Sequence, residues 1–122
     1  MEDSTLRMAL LFDFFGELLT DKQREYFDLY FNEDLSLSEI AENAGISRQG
    51  VRAFIVKAES ALNEYEEKTG VVRRFTAMQR ELEDLSEKAE RLCGALPEGT
   101  ERRLAEEIAA GIDELKGWNN GI

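Results

Sequence analysis

The chain has 122 residues, 26 acidic against 15 basic side chains, and a formal net charge of −11. It contains no histidine and one cysteine, Cys93, which excludes His-dependent nucleophilic catalysis, an internal disulfide and a cysteine-rich zinc site. With 43% hydrophobic residues and a single proline, the composition is that of a folded chain with few helix breakers, so the expected fold class is all-α. The longest apolar stretch, Met8 to Phe12, is far short of a membrane span, and the acidic Met1-Glu2-Asp3 start is unlike a signal peptide. A cytoplasmic protein is expected, with no membrane partner, catalytic residue, metal or cofactor.

In chain order, residues 4–19 form a dense apolar run that includes Leu6, Met8, Leu11, Phe15 and Leu18. It is too apolar for an isolated surface helix, which predicts burial on more than one side, within the chain or against a second subunit. Thr20-Asp21-Lys22-Gln23 then reads as a capping box, in which hydroxyl and amide satisfy each other's orphan backbone donors. Tyr26, Phe27, Tyr30 and Phe31 supply the apolar positions of the helix that follows.

Ser36-Leu37-Ser38-Glu39 is a second capping box. It opens a short helix closed by Gly45, the residue suited to a left-handed stop. Ile46 follows, and Ser47 caps a longer helix carrying Val51, Phe54, Ile55, Ala58 and Leu62. Two helices joined at such a glycine corner form a helix-turn-helix, whose second helix enters the DNA major groove. The expected core of the motif is Ile40, Ala41, Gly45, Ile46, Val51 and Phe54. Ala41 keeps the crossing close, Gly45 takes the positive φ of the turn, and Ile46 plugs the corner.

The outward residues are the candidate nucleic-acid contacts. Arg48 and Arg52 carry the bidentate group that suits guanine, and Gln49 carries the one that suits adenine. Ser47 caps the helix and leaves its first turn electropositive, and Lys57 is placed to meet a backbone phosphate. From Ser47 to Ala58 there are three bases and no acids, a local +3 in a chain of −11. The same corner also serves as a plain folding unit in many proteins. Gly50 on the reading helix costs about 1 kcal/mol relative to alanine and offers no side chain to a base.

Further on, Phe75, Met78, Leu82, Leu85, Ala89 and Leu92 are spaced 3, 4, 3, 4, 3, a heptad seam. Pro97-Glu98-Gly99 breaks the chain, Thr100 starts a last helix, and Leu104, Ile108, Ile112 and Leu115 share one face. The short break predicts an antiparallel hairpin. The expected organisation is a helix-turn-helix domain over 1–70, a hairpin over 71–116 that can serve for dimerisation, and a frayed tail over 117–122 in which Trp118 can pack back. The glutamates at 64, 66 and 67, and those around 81–84, read as solvated faces, and Cys93 reads as a buried, inert thiol.

Residues Leu19 to Ala58 carry a resemblance to a known family. The Leu-Thr-x-x-Gln-Arg opening at 19–24, Asp34-Leu35-Ser36-Leu37, Glu39-Ile40-Ala41 and Ile46-Ser47-Arg48-Gln49-Gly50-Val51-Arg52 resemble the YlxM family of small bacterial helix-turn-helix proteins. The block is also similar to the promoter-reading C-terminal region of bacterial sigma factors, a wingless unit of three or four helices. There the counterparts of Ser47, Arg48 and Arg52 approach promoter DNA. Gly50 fits the first family and departs from the second, where a charged residue is common at that place.

The resemblance implies a non-enzymatic regulatory protein of the signal recognition particle pathway, encoded beside the GTPase Ffh and its receptor FtsY. Its partners would be DNA or the particle's RNA, with Ffh or FtsY as protein partners, and its state a homodimer. The alternative is an adaptor that binds Ffh or another basic partner through its acidic surface and touches no nucleic acid. The charge distribution bears on both. Residues 1–70 hold 7 basic and 15 acidic side chains (−8), against 8 and 11 (−3) over 71–122.

Overall fold

The computed structural model describes residues 2–120, with side chains described from Thr5 to Trp118. Among these residues the fold is all-α, six helices with no strand: α1 (Glu2–Phe15), α2 (Asp21–Phe31), α3 (Leu37–Ala44), α4 (Arg48–Thr69), α5 (Val71–Ala95) and α6 (Thr100–Asn120). A single 3-10 turn, Gly16–Leu18, follows α1. The chain divides into two compact units, Met1–Val72 and Arg73–Ile122.

In the first unit, α4 is the axis on which α1, α2 and α3 pack. One face of α1 supplies Met8, Leu11 and Phe15, three and four residues apart, and they join Leu19, Phe27, Ala58, Leu62 and Val72 in one buried cluster. The Phe12 and Phe27 rings stack at 4.9 Å, and Phe27 stacks on Phe31 at 4.4 Å. Only that face of α1 is fully buried. Leu10, Phe12 and Phe14 on its other sides are half-buried against the same cluster, so the expected burial on more than one side holds in part, while Leu6 and, past the helix, Leu18 are exposed. A helix lying on one neighbouring layer seals one stripe fully and covers its flanks only in part.

Both capping boxes form. The Thr20 hydroxyl accepts from the Gln23 amide while the Gln23 side chain accepts from the Thr20 amide. Ser36 and Glu39 reciprocate in the same way at 3.0 and 2.9 Å. Between α2 and α3 the chain turns through Asp34 at φ 58°, one of the few residue types that tolerate left-handed backbone.

Glu66 departs from its expected solvated place. It is buried, and its carboxylate accepts the Val72 backbone N–H at 2.8 Å. Ala58, Leu62 and Glu66 lie four apart on the buried stripe of α4. The left-handed Gly70, φ 64°, then folds the start of α5 back over the carboxylate. An anion at a helix N-terminus meets unpaired amides and the positive end of the dipole, which offsets its burial.

The second unit is a two-helix hairpin. Ser86 donates to the Asp113 carboxylate at 3.1 Å, and Glu83 pairs with Lys116 at 3.6 Å. Three residues forward on α5 match three back on α6, so the helices run antiparallel. Its tail differs from expectation. α6 continues through Gly117 to Asn120, and Gly121 and Ile122 lie outside the described residues. Gly117 is not among the positive-φ glycines; without that conformation one glycine costs only about 1 kcal/mol and does not stop a helix. Trp118 is 68% exposed and does not pack back. Cys93 is half-buried instead of sealed in a core.

Candidate nucleic-acid interface

The site is built from α3, the turn Gly45–Ser47 and the first three turns of α4. Gly45 sits at φ 73°, ψ 27°, and its amide and that of Ile46 both donate to the Ala41 carbonyl, at 2.9 and 3.2 Å. That pair of hydrogen bonds closes α3 and reverses the chain within three residues. Tyr26, Ile40, Ala41, Val51 and Ile55 form the buried core of the motif, with Phe54 half-buried edge-on to Tyr26 at 5.3 Å. Tyr26 and Ile55 extend the expected core.

Ile46 does not plug the corner: it is 38% exposed and lies outside the buried cluster. Its position just past the left-handed stop aims it over the first turn of α4. A Cβ on Gly50 would sit 3.6 Å from the Ile46 Cδ1 and 3.2 Å from the Ser47 Oγ. Gly50 is therefore where the helix start, its cap and Ile46 come closest. The Ser47 hydroxyl accepts from the Gly50 amide at 2.9 Å, a cap without the reciprocal half that Thr20 and Ser36 enjoy. The amides of Arg48 and Gln49 precede any carbonyl within the helix that could receive them, so they face outward unclaimed by α4.

Arg48, Gln49, Arg52 and Lys57 are all exposed. They do not form one stripe. At 100° per residue, Arg48 and Arg52 lie about 40° apart on one flank, Gln49 lies nearer the crest, and Lys57 is about 140° from Arg52 on the opposite flank. Ala53 and Val56 occupy the crest between, both exposed and uncharged. They were not among the expected contacts, because composition drew attention to charge alone. Methyl groups at such positions suit the thymine methyl.

None of Arg48, Arg52 and Lys57 is bound to a carboxylate among the described residues. By contrast Lys22, Lys68, Lys88, Arg102 and Lys116 are paired elsewhere. The nearest acid on the helix is Glu59, two turns beyond Arg52. Burial pushes the Glu59 carboxyl up from the ordinary range, and the Arg52 charge pulls it partly back. The face thus presents three cations without an ion pair over residues 48–57, and its first acid, Glu59, follows at mid-helix.

A glycine-cornered pair of helices, the second with an exposed basic first half, defines a helix-turn-helix protein. Residues 2–95 match the model of the UPF0122 family, the YlxM / p13-like helix-turn-helix proteins. A UPF0122 protein of Thermoanaerobacter sp. (strain X514) is 44% identical over 115 residues, 94% of this chain and 98% of the relative. One from Caldanaerobacter subterraneus subsp. tengcongensis is 51% identical over 87 residues, 71% of this chain and 74% of the relative. One from Halalkalibacterium halodurans is 46% identical over 91 residues, 75% and 84% of the two chains. The chain belongs to the UPF0122 family.

Proposed function

We propose that this protein is a non-enzymatic, nucleic-acid-binding regulator that places α4 in the major groove of duplex DNA and acts in the signal recognition particle pathway with Ffh and FtsY. The observation that carries the nucleic-acid reading is the trio of unpaired cations on the exposed side of α4. Arg24, Arg74, Arg80, Arg91 and Arg103 also lack an ion pair among the described residues, so what sets the trio apart is its clustering between Ser47 and Ala58 with no acid among them, which favours an external anion. Arg48 and Arg52 contact guanine edges or the flanking phosphates, Gln49 reads adenine, and Lys57 meets the phosphate backbone across the groove. The roughly 140° between Arg52 and Lys57 suits a helix held between two strands of backbone. Ser47 holds the first turn so that the Arg48 and Gln49 amides face a phosphate. Duplex DNA is favoured over duplex RNA because the RNA major groove is too deep and narrow to admit a helix. The pathway assignment rests on the YlxM resemblance.

A second reading has its own support in the acid concentrated over residues 1–70. Asp21, Glu25 and Asp28 on α2 line an open cleft with Phe12 and Arg24. Such a surface suits a basic protein partner, with the helix-turn-helix as scaffold. Titration of a random-sequence DNA duplex and of the particle's RNA at two salt concentrations separates the readings. The regulator binds DNA, and Arg48→Ala with Arg52→Ala abolishes it. An adaptor binds neither nucleic acid and forms a complex with Ffh that the two substitutions leave intact.

A further inference from the structure

The strip of α4 farthest from the core carries no charge over its first half. Val51, Ile55, Ala58 and Leu62 form the buried stripe. Opposite them, at 100° per residue, Gln49, Ala53, Val56 and Ser60 fall within about 60° of arc, all four exposed. A surface helix ordinarily places charged residues there, and 34% of this chain is charged. The cations stand to either side instead, Arg52 about 40° beyond Val56 and Lys57 about 40° beyond Ala53. Farther along the same line Glu64 and Glu67 are exposed acids, so the neutral strip ends after Ser60. Ala53 and Val56, the latter 42% exposed, bring only methyl groups to it. The Gln49 side-chain amide makes no hydrogen bond among the described residues, whereas that of Gln23 closes a capping box.

We propose that this neutral strip is what selects a DNA sequence, and that it selects A·T pairs. Gln49 takes the adenine edge, Ala53 and Val56 take the thymine methyl, and Arg48, Arg52 and Lys57 hold the phosphates on either side. The inference rests on the reading of α4 as a major-groove helix and narrows what that helix accepts.

Alanine and valine side chains neither donate nor accept a hydrogen bond. Against a G·C pair they would strip water from the guanine O6 and N7 or the cytosine amine and return nothing. The C5-methyl of thymine is the one methyl group on the major-groove edges of the four pairs, and burying it against Ala53 and Val56 takes apolar surface of both partners out of water. Gln49 supplies the matching polar contact, a donor and an acceptor for adenine N7 and N6. From Gln49 to Val56 the helix rises about 10 Å, three base steps of about 3.4 Å, so the strip reads one short site. The flanks decide the occupant. Cations on both sides of a neutral strip match the two phosphate backbones that border a major groove, and the acids at Glu64 and Glu67 repel those backbones from the rest of α4.

The test selects a random-sequence DNA duplex pool on the full chain and copies the bound duplexes twice, once with thymidine and once with deoxyuridine triphosphate. The two copies share their phosphates and hydrogen-bonding groups and differ only in the thymine methyl. The selected sequences share a core of A·T pairs, and the uracil copy binds about 10-fold more weakly, at about 4-fold for each methyl buried. Val56→Ala, an exposed site given a better helix former, cuts that ratio to about 4-fold. Ala53→Ser with Val56→Ser brings it near one. Selection on Gln49→Ala relaxes one adenine position. Arg52→Ala, measured at low salt, weakens both copies and leaves the ratio as it was, because a phosphate contact carries no base information. Equal binding of the two copies by the native protein, a ratio that survives the double serine substitution, a ratio lost in Arg52→Ala, or a selected core of G·C pairs overturns the inference while the DNA reading of α4 stands. Failure to bind any duplex overturns both.

Discussion

The two units of this protein bury different things. The largest fully buried side chains, Phe27, Leu11, Ile40, Leu62 and Val51, all belong to the first unit. The hairpin hides Leu82, Ala89, Ala105 and a serine, and leaves its larger aliphatics in water. The first unit therefore closes its own core, and its surface is free to carry charge and a reading helix. The hairpin hides few large side chains within itself, so less hydrophobic burial holds its two helices together.

Substitutions sharpen that contrast. Phe27→Ala removes a ring stacked on both Phe12 and Phe31 and costs about 3–5 kcal/mol, read as a shift in the urea midpoint of the first unit. Leu85→Ala, in the hairpin, leaves that transition unmoved. Glu66→Ala removes the buried acceptor of the Val72 amide and costs about 2 kcal/mol by the same measurement, with the start of α5 losing hydrogen-exchange protection. A loss near zero would mean that the carboxylate is not what anchors α5. Gly45→Ala forces a Cβ into left-handed backbone and costs about 1–2 kcal/mol, although nothing lies within 4 Å of where that Cβ would go. The penalty is conformational, so Gly45→Asn should recover much of it.

The smallest effect concerns acid. The Ser36 amide and hydroxyl hold the Glu39 carboxyl below its ordinary value of 4.5. A carboxyl lowered by folding contributes stability that is present above the unfolded value and lost as pH falls through the folded one. Glu59 has the opposite sign, because burial raises it. Its contribution is fully present below the unfolded value and is lost as pH rises through the folded one. Melting temperatures below pH 5 should therefore fall less in Glu39→Gln than in the native chain, and fall further in Glu59→Gln. A Glu39→Gln profile that parallels the native one would show that the box does not depend on the ionised carboxylate.

The features legible in the sequence were the local ones. The capping boxes at Thr20 and Ser36, the left-handed stop at Gly45 and the cap at Ser47 depend on residues within four positions of each other. The helical class followed from the scarcity of breakers and the spacing of apolar residues. What escaped depends on distant segments meeting. Glu66 looks like one acid in a solvated cluster until Gly70 folds α5 over it. Ile46 is apolar and sits at a corner, but burial there is decided by where the chain leads after Ala41. The heptad seam of α5 showed its period plainly, yet which row faces α6 and which stays open is a property of two helices together. On α4 the charges and, at 100° per residue, their split over two flanks both follow from spacing, whereas the exposed crest of Ala53 and Val56 between them depends on which face the core of α1, α2 and α3 claims.

The central claim, that the open side of α4 receives nucleic acid, is tested most directly by the salt dependence of DNA binding. Three phosphate contacts predict a log-log slope of about −3 per chain in the native protein, falling to about −1 in Arg48→Ala with Arg52→Ala as only Lys57 remains. A slope and affinity unchanged by the double substitution, or no binding to any duplex, would contradict the account.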